Sequence, residues 1–387
     1  MKRRHKLLLG LVGGGNELSV GATTTGAGQT VTLQRITPTG STATVNWGDG
    51  SSSTIADGNT GTTTHVYAAA GSYAVTITPP SKLTYIDLRD TQLSFNSVYL
   101  VQCIALTSLR IDCGGTFNSA NIASLPITYL YLSPTVVGTY TFNSTHISAM
   151  ALTTLHLVLA VAGTYTFNST HISAMALTYM HLNLPMAGTY TFNSTHISAM
   201  ALTYLYLIMT AAGTYTFNST HISAMALTYL YLIMSVAGTY TFDSTHISAM
   251  ALTYMNLVLN NAGTYTFDSA HISARTTITN ITVVLHTTNT FTVAQADWDG
   301  FPACGTIRVE AALTQTEVDN ILLGLYAGFA SKTVTGGTID LLGQINAAPS
   351  GVLQAANPPT TGYEAAYELV NDSAGVSTKH WVSVTTA

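Results

Sequence analysis

Six near-identical copies of one 25-residue sequence run through the middle of this chain, and they constrain its fold more than any other feature. Each copy begins Gly-Thr-Tyr-Thr-Phe, and its first glycine recurs without any change of spacing, at Gly138, Gly163, Gly188, Gly213, Gly238 and Gly263. A fixed period in this range is typical of a solenoid, in which every repeat forms one coil stacked on the previous coil. Tandem repeats supply the same side chains again and again, whereas a catalytic site brings unlike groups together at one point.

Low charge is the second unusual property of the chain. Charged residues make up only 7% of its 387 residues, against about 25% in an ordinary soluble domain. Between Cys113 and Ala274 the only charged side chains are Asp243 and Asp268. The net charge of −5 gives no attraction to nucleic acid or acidic membranes. No apolar run approaches the roughly 18 residues of a membrane span, so we expect neither nucleic-acid binding nor a membrane-spanning segment.

Residues 1–17 read as a separate N-terminal arm with a basic cluster at Lys2–Lys6. The apolar stretch Leu7–Val12 is short and no Ala-x-Ala cleavage site follows it, so it makes a poor signal peptide, and the alternative is an anchoring arm docked on a partner. The cysteines are too few and too scattered for a disulfide framework or a zinc site, and we expect no metal or other cofactor. They are Cys103, Cys113 and Cys304.

Residues 18–79 alternate in the manner of short β-strands with turn clusters between them. Three motifs follow one another there, Val45-Asn-Trp-Gly-Asp-Gly50, His65-Val-Tyr67 and Gly71-Ser-Tyr-Ala-Val-Thr76. In order and spacing they resemble the polycystic-kidney-disease (PKD) type of immunoglobulin-like domain. The resemblance implies a β-sandwich that serves as a spacer or binding module on extracellular and virion proteins.

Residues 81–303 read as the solenoid, with the near-identical repeats at 138–275. Each coil carries Leu-x-x-Leu-x-Leu, and the end of this motif has the period of a strand whose leucines face inward. The pattern resembles the leucine-rich repeat, which implies parallel strands in one sheet on a concave face. We therefore expect parallel strands centred near Leu155, Met180, Leu205, Leu230 and Met255.

One position departs from that family. Leucine-rich repeats place Asn or Cys three residues after the last leucine, where the side chain bonds the turns of adjacent coils, and among the six coils here only Asn260 does so. The coil must therefore close differently. The β-branched and aromatic residues of Gly-Thr-Tyr-Thr-Phe suit a second strand, so a parallel β-helix is the rival fold.

Residues 304–387 change in character and are expected to hold the last repeats and a cap. Thr314 and Glu317 have the spacing of a capping box at the start of an amphipathic helix, and residues 362–369 predict a second short helix. Residues 338–342 and 381–384 predict strands. This segment resembles the closing segment of bacterial and phage leucine-rich repeat proteins. The predicted fold class is thus mainly β: a PKD-type sandwich, a leucine-rich repeat solenoid with a parallel sheet, and an α/β C-terminal cap.

On each predicted strand the residues beside the inward leucines face solvent, and in most coils they are aromatic. Because parallel strands lie about 4.8 Å apart, rings at matching positions would stack as a ladder across the concave face. Exposed rings with hydroxyl tips suit carbohydrate or another extended polymer; the alternative is that they only stabilise the sheet. The candidate binding residues are Tyr129, Tyr131, His156, Tyr179, His181, Tyr204, Tyr206, Tyr229, Tyr231, Tyr254 and Asn256.

Two further positions repeat in every copy. One histidine per coil, from His146 to His271, is a familiar metal ligand, but most have no carboxylate beside them to complete a ligand set. We therefore expect neutral histidines in a turn, stacked from coil to coil. The Asn-Ser-Thr triplets are formal glycosylation acceptors. Two copies have Asp243 or Asp268 in place of the asparagine. Because Asn and Asp exchange freely at helix N-caps and Asx-turns, we expect caps.

No nucleophile–base pair, phosphate loop or pair of acids stands out, so we expect a non-enzymatic protein. The combined resemblances favour a virion-associated or cell-surface adhesion protein, such as a phage tail fibre, that presents a repetitive surface to a host-surface glycan or protein. The uncharged flanks predict lateral association, in a homo-oligomer or as a subunit embedded in a virion. One alternative function is a purely structural filament or capsid-associated subunit, whose flanks pack on neighbouring subunits. Another is a polysaccharide-degrading spike, and the near lack of carboxylates in the solenoid counts against it.

Overall fold

The computed structural model describes residues 16–273, 275–286, 290–341, 346–373, 375–377 and 381–386. Nearly all of the predicted N-terminal arm, including its basic cluster, lies outside the described residues. The described part is mainly β, and the chain divides into two compact units, Met1–Ile127 and Thr128–Ala387.

The first unit contains antiparallel strands followed by parallel ones. Its strands are β1 (Leu18–Thr24), β2 (Gln29–Leu33), β3 (Arg35–Pro38), β4 (Ala43–Asn46), β5 (Ser52–Ile55), β6 (Thr63–Tyr67), β7 (Gly71–Thr78), β8 (Leu83–Leu88), β9 (Leu93–Asn96), β10 (Ser108–Ile111) and β11 (Gly114–Asn118). Short 3₁₀ helices lie at Pro80–Lys82, Ser97–Gln102 and Ser119–Ile122. The alternating stretch 31–36 is divided at Gln34 into two strands, because β2 pairs with β6 whereas β3 pairs with β8.

The antiparallel strands of this unit bond directly to the parallel ones. β1 pairs with β9, where Val20 lies opposite Phe95, and β3 pairs with β8, where Ile36 lies opposite Ile86. β8 and β9 then form parallel pairs with β10 and β11. The sandwich therefore covers the first edge of both parallel sheets of this unit with backbone hydrogen bonds, which keeps those edges from pairing with another chain.

The second unit stacks coil upon coil, and each repeat contributes one strand to each of two parallel sheets. The tyrosine sheet consists of β12 (Tyr129–Leu132), β14 (Thr154–Val158), β16 (Tyr179–Asn183), β18 (Tyr204–Met209), β20 (Tyr229–Met234), β22 (Tyr254–Leu259), β24 (Asn280–Leu285), β26 (Thr306–Glu310), β27 (Thr338–Leu341) and β28 (Ser383–Thr386). The threonine sheet consists of β13 (Gly138–Asn143), β15 (Gly163–Asn168), β17 (Thr189–Asn193), β19 (Thr214–Asn218), β21 (Thr239–Asp243), β23 (Thr264–Asp268) and β25 (Thr290–Thr292). Short 3₁₀ helices lie at Ser144–Ile147, Ser169–Ile172, Ser194–Ile197, Ser219–Ile222, Ser244–Ile247, Ser269–His271, Gln295–Trp298 and Phe329–Ser331.

The strands predicted from the leucine motif are confirmed. All five predicted centres lie in the tyrosine sheet and their strands pair in parallel. The repeated Gly-Thr-Tyr-Thr-Phe forms the second strand of the coil, in the threonine sheet. The chain after the first unit is therefore a solenoid of stacked parallel strands.

Alternation along both strands of a coil fills the interior with apolar side chains. In one repeat Leu205 and Leu207 of β18 are fully buried, and Tyr215 and Phe217 of β19 are almost so. Ile222 of the next 3₁₀ helix is also buried. Because the same positions recur buried in each repeat, the core runs on from coil to coil and supplies most of the stability.

The C-terminal residues add two helices, α1 (Gln315–Ala327) and α2 (Gly362–Asn371). The predicted capping box is present: the Thr314 hydroxyl accepts from the Glu317 N–H, and the Glu317 carboxylate accepts from the Thr314 N–H at 2.8 Å. Of the strand predicted at 338–342, residues 338–341 form β27, and residue 342 lies outside the described residues. The strand predicted at 381–384 begins two residues later, as β28 at Ser383.

The two sheets of the second unit differ in register. From β12 to β22 of the tyrosine sheet each residue lies opposite the residue 25 positions later, so Tyr204 is paired with Tyr229. From β13 to β23 of the threonine sheet the partner is 23 positions later, so Thr191 lies opposite Thr214 and Phe192 lies opposite Tyr215. Equivalent side chains therefore form columns in the first sheet, whereas the second sheet sets phenylalanine beside tyrosine.

The repeated glycine is required because the tyrosine two residues later folds back over it. A Cβ atom at Gly213 would lie 2.6 Å from Cζ of Tyr215 and 2.9 Å from the carbonyl oxygen of Tyr190. The Tyr215 hydroxyl donates to the Ala211 carbonyl oxygen at 2.9 Å, which holds the buried ring in place. Any side chain at Gly213 must therefore displace a buried ring.

Gly213→Ala should lower the free energy of unfolding by about 1–3 kcal/mol, as overpacking of a close contact does. Denaturant titration of the full chain measures it. The matched control is Ala212→Ser, at the exposed neighbouring position, which should change the free energy of unfolding by less than about 0.5 kcal/mol. Equal stability of Gly213→Ala and the parent chain would contradict the close approach.

Candidate binding surface on the tyrosine sheet

Two columns of side chains cover the outer face of the tyrosine sheet. The first column contains Tyr129, Tyr179, Tyr204, Tyr229 and Tyr254. The second column contains Tyr131, His156, His181, Tyr206, Tyr231 and Asn256. All eleven predicted residues share one face, because they occupy the same two positions of strands that pair in register.

His156 differs from the other ten candidate residues in its solvent exposure. Ten of the side chains are half-buried, so they reach solvent, as the sequence predicts. The prediction that His156 faces solvent is wrong: it is only 7% exposed. The centroid of its ring lies 3.8 Å from that of Tyr131 and 4.0 Å from that of His181, so rings of the adjacent coils cover it.

Ring stacking is the main contact along the first column. The ring centroids of Tyr179 and Tyr204 are 4.1 Å apart, those of Tyr204 and Tyr229 4.3 Å, and those of Tyr229 and Tyr254 4.4 Å. The planes of these rings are inclined by only 10° to 13°. Such offset aromatic pairs add stability beyond the area they bury.

Stacking also decides what the surface offers to a partner. In the second column His181 lies 3.9 Å from Tyr206, and Tyr206 lies 4.1 Å from Tyr231, again as stacked rings. The faces of the inner rings are therefore covered by their neighbours. A sugar ring cannot stack on them, so a partner meets ring edges and hydroxyl groups instead.

The phenols of a column lie next to one another along the sheet. The ring of Tyr204 is stacked on those of Tyr179 and Tyr229, and the ring of Tyr206 is stacked on that of Tyr231. Burial, followed by the neighbouring phenols, raises the pKa of Tyr229 to about 12. The pKa values of Tyr204 and Tyr206 are raised still further for the same reasons. At neutral pH these three side chains are thus uncharged hydroxyl donors and acceptors.

A third outward column borders the second and was not predicted. Ile208, Ile233 and Val258 are half-buried, and they lie where β18, β20 and β22 extend beyond the leucine motif. The signal was present in the sequence, since alternation continues past Leu207 to Ile208 and the buried Met209. The hydroxyl rows therefore have an apolar margin on one side.

His181 and Asn256 carry unsatisfied polar atoms on this face. Nε2 of His181 and the side-chain oxygen of Asn256 are buried, and neither has a hydrogen-bond partner among the described residues. Burial lowers the pKa of His181 to about 4. The imidazole of His181 is therefore neutral at physiological pH.

The other repeated histidine joins each coil to the coil before it. Nδ1 of His221 lies 2.8 Å from Oγ of Ser194, and the same oxygen accepts from the Asn218 N–H at 2.9 Å. Ser194 is fully buried, and its hydroxyl bridges the ring of His221 and the backbone of Asn218. Equivalent serine–histidine pairs recur from Ser144–His171 to Ser244–His271. No group of three or more metal-binding side chains occurs in the described part of the chain.

The Asn-Ser-Thr triplets cap the 3₁₀ helices, as predicted. The side-chain oxygen of Asn193 accepts from the Thr195 N–H at 3.0 Å and from its hydroxyl at 2.9 Å. Asp243 makes the same two bonds to Thr245. Either residue type satisfies the exposed N–H groups at a helix start, which explains why the two interchange.

In the first unit the three sequence motifs meet around one turn. The Asp49 carboxylate accepts from the Ser51 N–H at 2.9 Å and lies 2.7 Å from Nε2 of His65. Hydrogen bonds from Ser51, followed by that from His65, lower the pKa of Asp49 to about 2. The His65 ring stacks on Trp47 with centroids 5.0 Å apart, and the Tyr67 hydroxyl donates to the Trp47 carbonyl oxygen at 2.7 Å. The aspartate therefore serves to hold its own loop.

A protein-family model of the PKD domain matches residues 17–79. PKD domains are immunoglobulin-like modules typical of extracellular and cell-surface proteins. No curated protein matches the chain. Among the described residues, the helices are all too short or too polar to cross a membrane.

Acid should weaken the fold through His181. Because its pKa is about 4 in the folded chain and about 6.5 when unfolded, the unfolded chain takes up the proton first as the pH falls. The free energy of unfolding should therefore decrease between about pH 6.5 and 4, by about 1–3 kcal/mol for this residue. Denaturant titrations at several pH values measure it.

The matched control is His181→Tyr, which installs the residue that the next two coils carry at this position. All other histidines are common to both proteins, so the difference between the two pH profiles isolates His181. A smaller loss of stability in His181→Tyr is expected. Identical profiles for the two proteins would refute a lowered pKa at this position.

Proposed function

We propose that this chain is a non-enzymatic adhesion protein of a virion or cell surface, and that the tyrosine sheet binds a host-surface glycan or protein. The observation that carries the proposal is the pair of aromatic columns on one outer face. A repeated row of hydroxyls suits a partner with a repeating structure. Each coil then adds the same weak contact, and the contacts together raise the overall affinity. The PKD module, typical of extracellular proteins, supports a surface location.

The chemistry of the face favours a neutral partner rich in hydroxyl or amide groups. Its inner ring faces are covered, so recognition depends on hydrogen bonds from the phenols and on contacts with ring edges. From β12 to β22 the face carries no Lys, Arg, Asp or Glu, so it offers no counter-charge to an ionic polymer. The apolar margin at Ile208 and Ile233 suits the less polar side of an extended chain.

We also propose that the coils are leucine-rich repeats closed by a second strand, rather than coils of a β-helix. The buried leucines of the motif and the outward residues between them support this. Other residues of the coil replace the bond between adjacent coils that the family's asparagine makes. The Asn193 cap closes the turn and the Ser194–His221 bond ties adjacent coils together.

Tyr204→Ala combined with Tyr229→Ala should reduce attachment to the chain's host-surface glycans by about tenfold, as the loss of two hydrogen bonds predicts. Glycan-array binding and attachment to cells measure the loss, and thermal melting checks the fold. Tyr204→Phe with Tyr229→Phe keeps the stacked rings and removes only the hydroxyls, so it should lose nearly as much.

The matched control is Thr191→Ala with Thr216→Ala, on the outer side of the threonine sheet, which should attach as the parent does. Unchanged attachment of the folded Tyr204→Ala, Tyr229→Ala protein would rule out the proposed surface. It would leave the columns with a purely stabilising role.

A structural subunit of a filament or capsid is the second candidate, and the flank of the coils favours it. Ser198, Ala199 and Ala201 are exposed in one repeat, and small uncharged residues recur at these positions in the others. Little charge opposes lateral packing of one copy on another. In that case attachment would be unaffected by the tyrosine substitutions, which separates the two functions.

A further inference from the structure

Tyrosine lies directly on tyrosine at four steps of the tyrosine sheet. Three steps belong to the first column, and their centroids are 4.1 to 4.4 Å apart. The fourth is Tyr206 on Tyr231 in the second column, at 4.1 Å and 12°. At this separation and tilt, the ring carbons next to the phenolic oxygens of neighbouring coils lie close to van der Waals contact.

The other repeated tyrosine of the coil lies opposite phenylalanine instead. The register of the threonine sheet sets Tyr190 opposite Phe167 and Tyr215 opposite Phe192. Each of these tyrosines is nearly fully buried, and its hydroxyl donates to the carbonyl oxygen four residues earlier. Stacked pairs of phenols are thus a property of the tyrosine sheet, created by its 25-residue register.

The first coils of the same sheet interrupt both columns. Thr154 stands between Tyr129 and Tyr179 in the first column. His156 stands beside Tyr131 in the second. Tyr129 and Tyr131 therefore share the face with the stacked tyrosines but are not stacked on another tyrosine along their columns.

Covalent reinforcement by cysteine is absent from this part of the chain. The three cysteines are buried free thiols, and none lies within the six repeats. Adjacent coils are held together by hydrogen bonds and packing alone. Stacked phenols are the groups on the outer face that oxidation can join.

We propose that the stacked tyrosines between Tyr179 and Tyr254 are a site of oxidative cross-linking, in which a peroxidase and hydrogen peroxide join neighbouring rings as dityrosine. Each of two phenols loses one electron and its phenolic proton. The two phenoxyl radicals then form one C–C bond between ring carbons next to oxygen. The two hydrogens of those carbons leave as the rings regain aromaticity, and the phenolic oxygens recover protons. In all, two C–H bonds are replaced by one C–C bond, and hydrogen peroxide takes up two electrons and two protons to give two molecules of water.

The hydroxyl rows assist the first step. Because the pKa of Tyr229 is raised to about 12, the phenol keeps its proton at neutral pH, and the proton must leave together with the electron. The ring of Tyr204 is stacked on that of Tyr229 with centroids 4.3 Å apart, so a second phenolic oxygen lies beside the one that must lose its proton. Both residues are half-buried, so the row ends in solvent.

Such links would join consecutive coils covalently along the outer face of the tyrosine sheet. Each bond joins residues 25 positions apart, so it closes one complete coil and restricts the unfolded chain as a disulfide of that loop size does. A solenoid exposed at a surface would then resist opening one coil at a time, which is the weak point of a structure whose repeats touch only their neighbours.

The test is oxidation of the dilute, folded full chain with hydrogen peroxide and a haem peroxidase, followed by proteolysis and mass spectrometry. We expect links within one molecule at 179–204, 204–229, 229–254 and 206–231, each with the loss of two hydrogen atoms. Tyr204→Phe with Tyr229→Phe keeps ring stacking and should abolish the three links of the first column while the 206–231 link remains. Tyr129→Phe is the control on the same face and should leave all four links unchanged.

Unfolding in urea before oxidation should abolish the preference for these four links, because the sheet register then no longer holds the paired tyrosines next to each other. The proposal is overturned if the folded protein forms no dityrosine. It is also overturned if links join mainly separate molecules, or if Tyr129 and Tyr131 are linked as often as the stacked residues. Loss of the 206–231 link in the Tyr204→Phe, Tyr229→Phe chain would likewise contradict independent coupling in the two columns.

Discussion

Backbone hydrogen bonds between successive coils decide which side chains of this protein become neighbours. Among the repeated strands β12 to β22 of the tyrosine sheet they join positions 25 residues apart, so a tyrosine is placed on a tyrosine and its ring face is covered. Among the repeated strands β13 to β23 of the threonine sheet they join positions 23 residues apart, so Phe192 lies beside Tyr215. One repeated sequence thereby gives an outer face of stacked hydroxyl-bearing rings and an inner layer of alternating phenylalanine and tyrosine.

The scarcity of charge sets the kind of recognition that the outer face can perform. Long-range steering of a partner needs a charged surface, and between Cys113 and Ala274 the chain carries only Asp243 and Asp268. Binding therefore depends on short contacts whose number grows with the number of coils, and it should be little affected by salt. Uncharged phenols held in columns by ring stacking are suited to this, because they lose little freedom when a partner arrives.

Features that depend on spacing along the chain were predictable, and features that depend on neighbouring coils were not. The 25-residue period predicted the solenoid, the leucine motif predicted the strand around Leu205, and the Asn-Ser-Thr triplet predicted the cap at Asn193. Each of these is a pattern within one stretch of the chain. The burial of His156 depends on rings in the coils on both sides. The register of the threonine sheet depends on how the coil closes, and Gly-Thr-Tyr-Thr-Phe alternates equally well in either register. Ser194 and His221 belong to different copies of the repeat, so nothing local signals their bond.

Engineered disulfides test the two registers most directly. Thr191→Cys with Thr214→Cys would place the Cα atoms about 5 Å apart, within disulfide reach, whereas Thr191→Cys with Thr216→Cys would place them about 8 Å apart, beyond it. Burial raises the pKa of the native thiols, to about 12 at Cys103, so they compete little for oxidant. The register predicts that mild oxidation closes the 191–214 pair and leaves the 191–216 pair reduced. Preferential closure of the 191–216 pair would contradict it.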